Sequence, residues 1–197
     1  MQSNPSTLDG TLHLSSSVTV DAYRELERRK DREGIANFLY ERLSERYIKP
    51  VSSRTRHGFA MMACACLLIE TMESFWNGWK TSVGAMPGEE VFERYFKRTK
   101  QFQQFEKHST DFYQGVRCGL LHQGETKLGW RITRKRGQPL LSGNGTRTIQ
   151  AETFLNILDA SIKEYCCTLR GTDWNDERWK KCRRKMNAII SNCSERA

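Results

Sequence analysis

Apolar residues recur at helical spacing along most of this chain, and their pattern predicts a series of helices. The stretch "AYRELERRKD" follows a candidate cap at Asp21, and a second helix through "REGIANFLYERLSERYI" stops near Pro50. The second helix carries a stripe of apolar side chains on one face: Ile35, Phe38, Leu39, Leu43 and Tyr47. Each predicted helix therefore has one side suited to a core and one suited to solvent.

The centre of the predicted core is a long helix from about His57 to Trp79. Its first half, "FAMMACACLLI", is apolar on every side, which is typical of a helix surrounded by other elements. An amphipathic stretch, "MPGEEVFERYFKRTKQFQQF", comes next. A fourth long helix is predicted to begin near Ser109 or Thr110.

The pattern changes between residues 126 and 151, where glycine and proline surround two β-prone pieces, "WRIT" and "TRTIQ". These pieces predict a small hairpin or a long loop. Helical spacing returns in "AETFLNILDASIKEYCCTLR" and in the last helix, "WNDERWKKCRRKMNAII", for which Asn175 or Asp173 is the candidate cap. The sequence thus predicts an all-α bundle with a small β-hairpin insertion, with residues 18–197 as one domain after a flexible segment at 1–17.

Cysteine spacing and hydropathy indicate the compartment of the protein. The seven cysteines include no C-x-x-C pair, and the spacings of Cys64 with Cys66 and of Cys166 with Cys167 suit neither a zinc site nor a disulfide framework. We therefore expect reduced, mostly buried thiols. The longest apolar run, Phe59 to Ile69, is too short to span a bilayer, and no signal peptide opens the chain. The prediction is a cytoplasmic protein with no membrane partner.

The net charge of +9 is concentrated near the carboxyl end. Eight of the nine excess positive charges lie after residue 125, and residues 126–151 contain six cations and no acid. Such a field attracts polyanions, so RNA is a candidate partner, and the alternative is a solvated charged face. Trp130 and Trp179 fit either base stacking or the core. The candidate RNA-binding residues are Lys127, Arg131, Arg134, Lys135, Arg136, Lys181 and Arg184.

The stretch "VRCGLLHQGE" places a permanent cation and an imidazole in an otherwise apolar helix. Arg117 and His122 are five residues apart and diverge by about 140° on an ideal helix. Gly115 and Gly119 share the face of His122 and cost helix stability, about 1 kcal/mol each relative to alanine. Because such glycines usually allow another backbone or a ligand to approach closely, we predict that two helices pack here, one from each copy of a homodimer.

The same pair admits a structural and a functional role. Arg117 is a suitable partner for Glu70 or Glu73, which lie about 60° apart on the long helix and need a cation when buried. In a functional role, arginine can hold phosphate and histidine can move protons near neutral pH. We expect Glu73 to position Arg117 for catalysis. Ligand binding without catalysis is a third alternative.

The segment "RCGLLH", an R-x4-H near the end of a helix in an all-α chain, resembles the signature of the HEPN superfamily. The wider stretch "FYQGVRCGLLHQGETKLGWRI", followed by "WKKCRRKMNAII", looks like a bacterial family of uncharacterised HEPN-like proteins over residues 57–193. Cys118 follows the arginine, where catalytic members often have a polar residue.

The resemblance implies a HEPN-like bundle and a metal-independent endoribonuclease that acts as a homodimer on RNA. It assigns phosphate binding to Arg117 and proton transfer to His122, with no metal or cofactor. It also implies a place in toxin–antitoxin, antiviral or RNA-processing systems, with an antitoxin or other regulatory protein as a further partner. Some HEPN domains are instead non-catalytic nucleic-acid- or protein-binding modules.

Overall fold

Helices form along most of the apolar pattern, and a small sheet interrupts them between residues 130 and 150. The computed structural model describes residues 10–52, 57–143 and 145–194. The α-helices are α1 (Val20–Arg28), α2 (Arg32–Leu43), α3 (Gly58–Asn77), α4 (Gly88–Arg98), α5 (Gln103–Glu106), α6 (Ser109–Phe112), α7 (Cys118–Gln123), α8 (Ala151–Gly171) and α9 (Glu177–Ser194). The strands are β1 (Trp130–Thr133), β2 (Leu141–Ser142) and β3 (Arg147–Gln150). The prediction of an all-α fold with a small β insertion is confirmed.

The helix α3 lies at the centre of the bundle, as its composition predicts. It packs against α4, α8 and α9 and also contacts β1. Its side chains at Met62, Ile69 and Met72 are fully buried. The helix ends at Gly78, whose φ of 69° lies in the left-handed region that glycine adopts without strain.

The length and apolar composition of α3 would also allow it to cross a membrane, and among the described residues this holds for that helix alone. However, more than half of its most apolar part is buried inside the protein. Such burial is typical of the core helix of a soluble protein.

Phenylalanine side chains join α4, the segment that follows it, and α8 into an aromatic part of the core. The rings of Phe102 and Phe154 lie 4.4 Å apart between centroids, and those of Phe96 and Phe112 meet edge to face at 5.1 Å. The fully buried members of this group are Phe92, Phe96, Phe102, Phe105, Phe112 and Phe154. This packing fixes the position of residues 103–112, from which the candidate site continues.

The helix that carries the R-x4-H segment begins at Ser109, one of its two predicted starts. It runs through α6, a π-helical turn at Tyr113–Arg117 and α7 without a break. A π-helical turn changes which face the following residues present, because it is wider than an α-helical turn. Gly124, with a φ of 68°, ends the helix.

The sheet differs from the predicted hairpin in how its strands pair. The two β-prone pieces form β1 and β3, which run parallel, with Trp130 opposite Arg147 and Ile132 opposite Ile149. The antiparallel pair is β2 with β3, where Leu141 lies opposite Ile149. A hairpin is thus present, but its first strand is a short piece that the β-prone pattern does not mark.

Polar side chains cap the last two helices. Gln150 ends β3 and caps α8, since its side chain accepts a hydrogen bond from the Thr153 backbone N–H at 2.6 Å. Asp176 caps α9 by accepting from the Arg178 backbone N–H at 2.8 Å. The predicted caps are therefore wrong by one residue or more, and Asp173 instead accepts from the Asn175 backbone N–H within the preceding turn.

Residues 10–17, which the sequence predicts to be flexible, pack against α2. Leu14 is buried, and the Ser17 hydroxyl donates to Glu41 Oε2 at 2.6 Å. The Ser16 backbone N–H donates to Glu45 at 3.0 Å. These hydrogen bonds join serines of the segment to Glu41 within α2 and to Glu45 just after it. The remainder, residues 1–9, lies outside the described residues.

Candidate functional site

An ion pair between α3 and the R-x4-H helix forms the base of the candidate site. Arg117 Nε donates to Glu70 Oε1 at 2.8 Å, and Nη2 donates to Glu70 Oε2 at 3.4 Å. Both side chains are largely buried, with 19% and 15% of their surfaces exposed. Burial lowers the pKa of Arg117, but the hydrogen bond and charge of Glu70 outweigh it, so the pKa is raised and the guanidinium stays charged.

The remaining nitrogen of the guanidinium faces the histidine of the motif. Arg117 Nη1 lies 3.5 Å from His122 Nε2, and His122 is exposed to solvent. Ideal helix geometry places the two residues about 140° apart, and the long arginine side chain nevertheless reaches the imidazole. One cation and one imidazole therefore meet at the surface, while Glu70 holds the opposite edge of the cation.

An aromatic ring and a small cleft complete the surroundings of this pair. The guanidinium carbon of Arg117 lies 5.6 Å from the centroid of the Tyr113 ring, a cation–π arrangement. A cleft of about 180 Å³ opens beside them, with Glu70, Val83 and Gly88 in its lining. Tyr113 is absent from the predicted site, although its position four residues before Arg117 places both on one helix face and is a usable signal.

Glu73 does not position Arg117, and this prediction is corrected by the contacts of the two acids. The Glu73 carboxylate is fully buried and hydrogen-bonds Arg98 of α4, and it accepts from Asn77 Nδ2 at 3.0 Å. Burial raises the pKa of Glu73, and the charge and hydrogen bond of Arg98 oppose that rise. Glu70 occupies the place that was predicted for Glu73, so Glu73 belongs to the α3–α4 contact instead.

The two glycines beside His122 are covered by the chain's own loop, not by a second helix. A Cβ at Gly119 would lie 2.4 Å from the Glu125 carbonyl oxygen, and one at Gly115 would lie 2.5 Å from Trp130 Cδ1. The Lys127 backbone N–H also donates to the Gly115 carbonyl at 2.8 Å. Close approach was predicted correctly, but the approaching group is residues 125–130, so the glycines no longer support a homodimer.

Two of the predicted RNA-binding residues, Arg134 and Lys181, lie at opposite ends of α3. Arg134 lies beside Gly58, where a Cβ would be 3.6 Å from Arg134 Cγ, and Lys181 lies beside Gly78 at the other end. These glycines are about 30 Å apart along the helix axis. Exposed members of the predicted set are Arg131, Lys135, Arg136 and Arg184. The cations therefore form no single patch, and the Glu70–Arg117 pair lies between them.

Other predicted RNA-binding residues already contact groups within the protein. Arg134 Nε donates to Glu152 of α8 at 3.0 Å, and Lys127 is half-buried in the loop that covers Gly115. Trp130 and Trp179 are 3% and 0% exposed, so both are core residues and neither is a stacking platform.

Thiols and other metal-binding side chains show no clustered site in the described part of the chain. Among the described residues, no group of three or more His, Cys, Asp or Glu side chains is placed to hold a metal ion. The described cysteines that the structure records as free are Cys64, Cys66, Cys118, Cys166, Cys167 and Cys182. Burial raises the pKa of the Cys182 thiol to about 12, which keeps it neutral in the core.

Comparisons with protein-family models, with curated proteins and with solved structures find no match to this chain.

Proposed function

We propose that this chain is a cytoplasmic, HEPN-like, metal-independent endoribonuclease that acts as a homodimer. The observation that carries the proposal is the approach of Arg117 Nη1 and His122 Nε2 to 3.5 Å at an exposed helix end. Glu70 bonds the other edge of the guanidinium and leaves Nη1 turned toward the histidine. Glu70 thus takes the positioning role in the proposed mechanism.

The chemistry of RNA cleavage needs these two kinds of group. The 2′-hydroxyl loses a proton and its oxygen bonds to phosphorus, while the bond from phosphorus to the 5′-oxygen breaks and that oxygen gains a proton. Histidine can perform either proton transfer near neutral pH. Arg117 stabilises the charge that builds on the phosphate oxygens. The products are a 2′,3′-cyclic phosphate and a 5′-hydroxyl.

A second copy of the chain supplies the second histidine in this proposal. One proton is taken and another is given, and a composite site with His122 from each copy provides both groups. Support comes from exposed apolar side chains around the site: Val83 is 80% exposed, Leu67 is 39% exposed and Leu121 is 38% exposed. Val83 shares the small cleft with Arg117, and Leu67 lines an adjoining cleft with Glu70. Such an apolar rim favours association of two copies.

The biological setting follows from the resemblance alone. It suggests a toxin or antiviral-defence effector, restrained by an antitoxin or another regulatory protein. A second candidate function is a non-catalytic HEPN-like module that binds nucleic acid or protein. The bond between Arg117 and Glu70 favours it, since a phosphate must compete with an acid already in place.

The test is cleavage of a randomised RNA pool by the purified protein in excess chelator. Arg117→Lys keeps the charge beside Glu70 and loses the planar guanidinium, and His122→Ala removes the proton carrier. His13→Ala is the matched control, because His13 is also exposed and its imidazole contacts the Ser15 carbonyl.

We expect cleavage to cyclic phosphate ends in the parent and in His13→Ala, and none in the two site variants at unchanged melting temperature. Cleavage that persists in His122→Ala would remove the proposal. RNA binding that survives in His122→Ala, with no cleavage by any form of the protein, would favour the non-catalytic module.

A further inference from the structure

A large cleft among the described residues is separate from the Arg117 site. It has a volume of about 820 Å³ and lies between the start of α3, the end of β1 and the first turns of α8. This volume is within the range of small-molecule and cofactor pockets, about 300–1,000 Å³. Neither the ion pair of Glu70 with Arg117 nor His122 takes part in its lining.

Apolar side chains line one part of this cleft. Met61 and Leu155 are buried to 2% and 3% exposure, and Ile132 is half-buried between them and solvent. Phe59 lies in the same lining but is 42% exposed. An aromatic ring left accessible beside an apolar surface offers a flat face to a planar ligand.

Polar and charged groups line the rest, including Glu152, whose carboxylate pairs with Arg134. Lys135 and Arg136 are exposed in the loop after β1, and Asn156 is exposed on α8. Two adjacent cations suit the phosphates of a strand, and a carboxamide carries the donor and the acceptor that a base edge needs. This cleft combines an apolar surface, a solvent-accessible aromatic ring, an amide and two cations. These groups match one unstacked nucleotide better than a duplex, whose bases are stacked and paired.

The position of Phe59 relative to the Arg117 site adds an independent argument. Phe59 and Glu70 are eleven residues apart on α3, which is three helical turns to within about 20°. They therefore face the same side of the helix, about 16 Å apart along its axis. Cys66 lies between them on this side of α3 and is fully buried, so a single strand that reaches both the cleft and Arg117 passes over the elements that cover α3.

We propose that this cleft is a base-binding subsite for single-stranded RNA. A base leaves the stack and packs on Phe59, Asn156 contacts its edge, and Lys135 with Arg136 hold the flanking phosphates. The inference rests on the proposed function in taking RNA as the ligand. It goes beyond that function by assigning a recognition site away from the reacting phosphate.

The probe is a 12-nucleotide 2′-O-methyl strand, which lacks the nucleophilic hydroxyl, so binding is measured without cleavage. Fluorescence anisotropy gives the Kd of the parent, Phe59→Ala, Phe59→Trp and a Lys135→Ala/Arg136→Ala double variant. Leu12→Ala is the control for removal of an exposed apolar side chain, because Leu12 is 39% exposed and lies before α1, away from both sites. Lys97→Ala/Lys100→Ala is the control for removal of two exposed cations.

We expect Phe59→Ala to weaken binding about fivefold to a hundredfold, as removal of one base–aromatic stack does, and Phe59→Trp to restore it. The Lys135/Arg136 variant should lower the slope of log Kd against log salt by about 1.4, or about 0.7 for each phosphate that the protein no longer neutralises. Both controls should bind as the parent does. A strand with 5-iodouridine should cross-link to the peptide that contains Phe59.

Three results would overturn the subsite. The first is equal affinity for the single strand and for its duplex. The second is binding that Phe59→Ala leaves unchanged. The third is displacement of the strand by a glutamate-rich peptide, together with equal affinity for the 12-nucleotide strand and for the same strand without bases. The last result would identify a peptide site. Failure of the nuclease proposal looks different: the probe would bind through Phe59 while the protein cleaves no RNA. If cleavage depends on His122 but Phe59→Ala leaves the Kd of the probe unchanged, the subsite proposal is overturned and the nuclease proposal stands.

Discussion

Glu70 and Glu73, one turn apart on α3, hold arginines from different helices. Glu70 bonds Arg117 of the R-x4-H helix, and Glu73 bonds Arg98 of α4. Glu70 lies at a partly exposed surface beside the candidate site, whereas Glu73 is fully buried. Glu70 therefore positions the candidate site, whereas Glu73 contributes to packing of the bundle. Substitution of each acid in turn provides a matched pair of variants.

We predict that Glu70→Gln lowers RNA cleavage about ten- to hundredfold, because a small misplacement of a positioned group costs rate on this scale. The fold should persist, since glutamine keeps the size of the side chain and one acceptor for Arg117. Glu73→Gln should leave cleavage unchanged at a temperature where both variants are folded. Initial rates and thermal melts measure the two effects, and equal rate losses in both variants would contradict the division of roles.

Gly119→Ala should destabilise the protein by about 1–3 kcal/mol, because its Cβ would collide with the Glu125 carbonyl and displace the loop. Gly171→Ala is the control: it lies at the end of α8 with no heavy atom within 4 Å of the added Cβ. There alanine should be neutral or stabilising by up to about 1 kcal/mol. Urea denaturation measures both, and a neutral Gly119→Ala would mean that the loop does not cover this glycine.

Acid should release residues 15–17 from α2. Burial raises the pKa of Glu41, but the hydrogen bonds from Ser15, Ser16 and Ser17 together outweigh it and lower the pKa from about 4.5 to about 2. A carboxyl whose pKa is lower in the folded state stabilises that state above its unfolded value. This contribution is therefore present above about pH 4.5 and is lost as pH falls toward about 2.

Amide hydrogen exchange of residues 14–18 measures this release. Protection should fall between these two pH values in the parent. In Glu41→Gln, exchange corrected for its intrinsic pH dependence should be fast at neutral pH and should change little on acidification. Protection of the parent segment that persists down to about pH 2 would contradict the role of Glu41.

Association of two copies should depend on the apolar rim of the candidate site. Leu121→Glu, combined with Leu67→Glu, places charges on that rim and should convert a dimer to monomers in light scattering. Leu12→Glu is the control, because Leu12 is 39% exposed and lies before α1. A parent protein that is monomeric at all concentrations, or a dimer that the double variant preserves, would exclude this interface.

The helices and the R-x4-H pair follow from local information, whereas their partners do not. The apolar run from Phe59 to Ile69 marks the core helix because every side of it is apolar. Glu70 and Glu73 both qualify as partners of Arg117 by sequence, and only the packing angle between helices decides between them. The mutual approach of Arg117 and His122 also depends on side-chain length and on the contact with Glu70, which no helical wheel describes.

Strand pairing and the glycine contacts show the same limit. "WRIT" and "TRTIQ" are recognisable as strands, but their parallel pairing depends on the strand β2. This strand has only two residues, which is too short for an alternation of apolar and polar residues to reveal it. Gly115 and Gly119 indicate close approach without indicating what approaches. Trp130 fits a stacking platform or a core residue equally well by sequence, and its burial against Phe105 and Phe112 decides for the core.

The junction between β3 and α8 fixes the width of the large cleft before any ligand arrives. Gln150 pairs with Thr133 of β1 and also caps α8, while Arg134 bonds Glu152 across the same corner. The walls are therefore tied together by backbone and ionic contacts, and little conformational entropy remains to be lost on binding. Association of a strand with this cleft should then show a rate that rises linearly with concentration, without a slow rearrangement step.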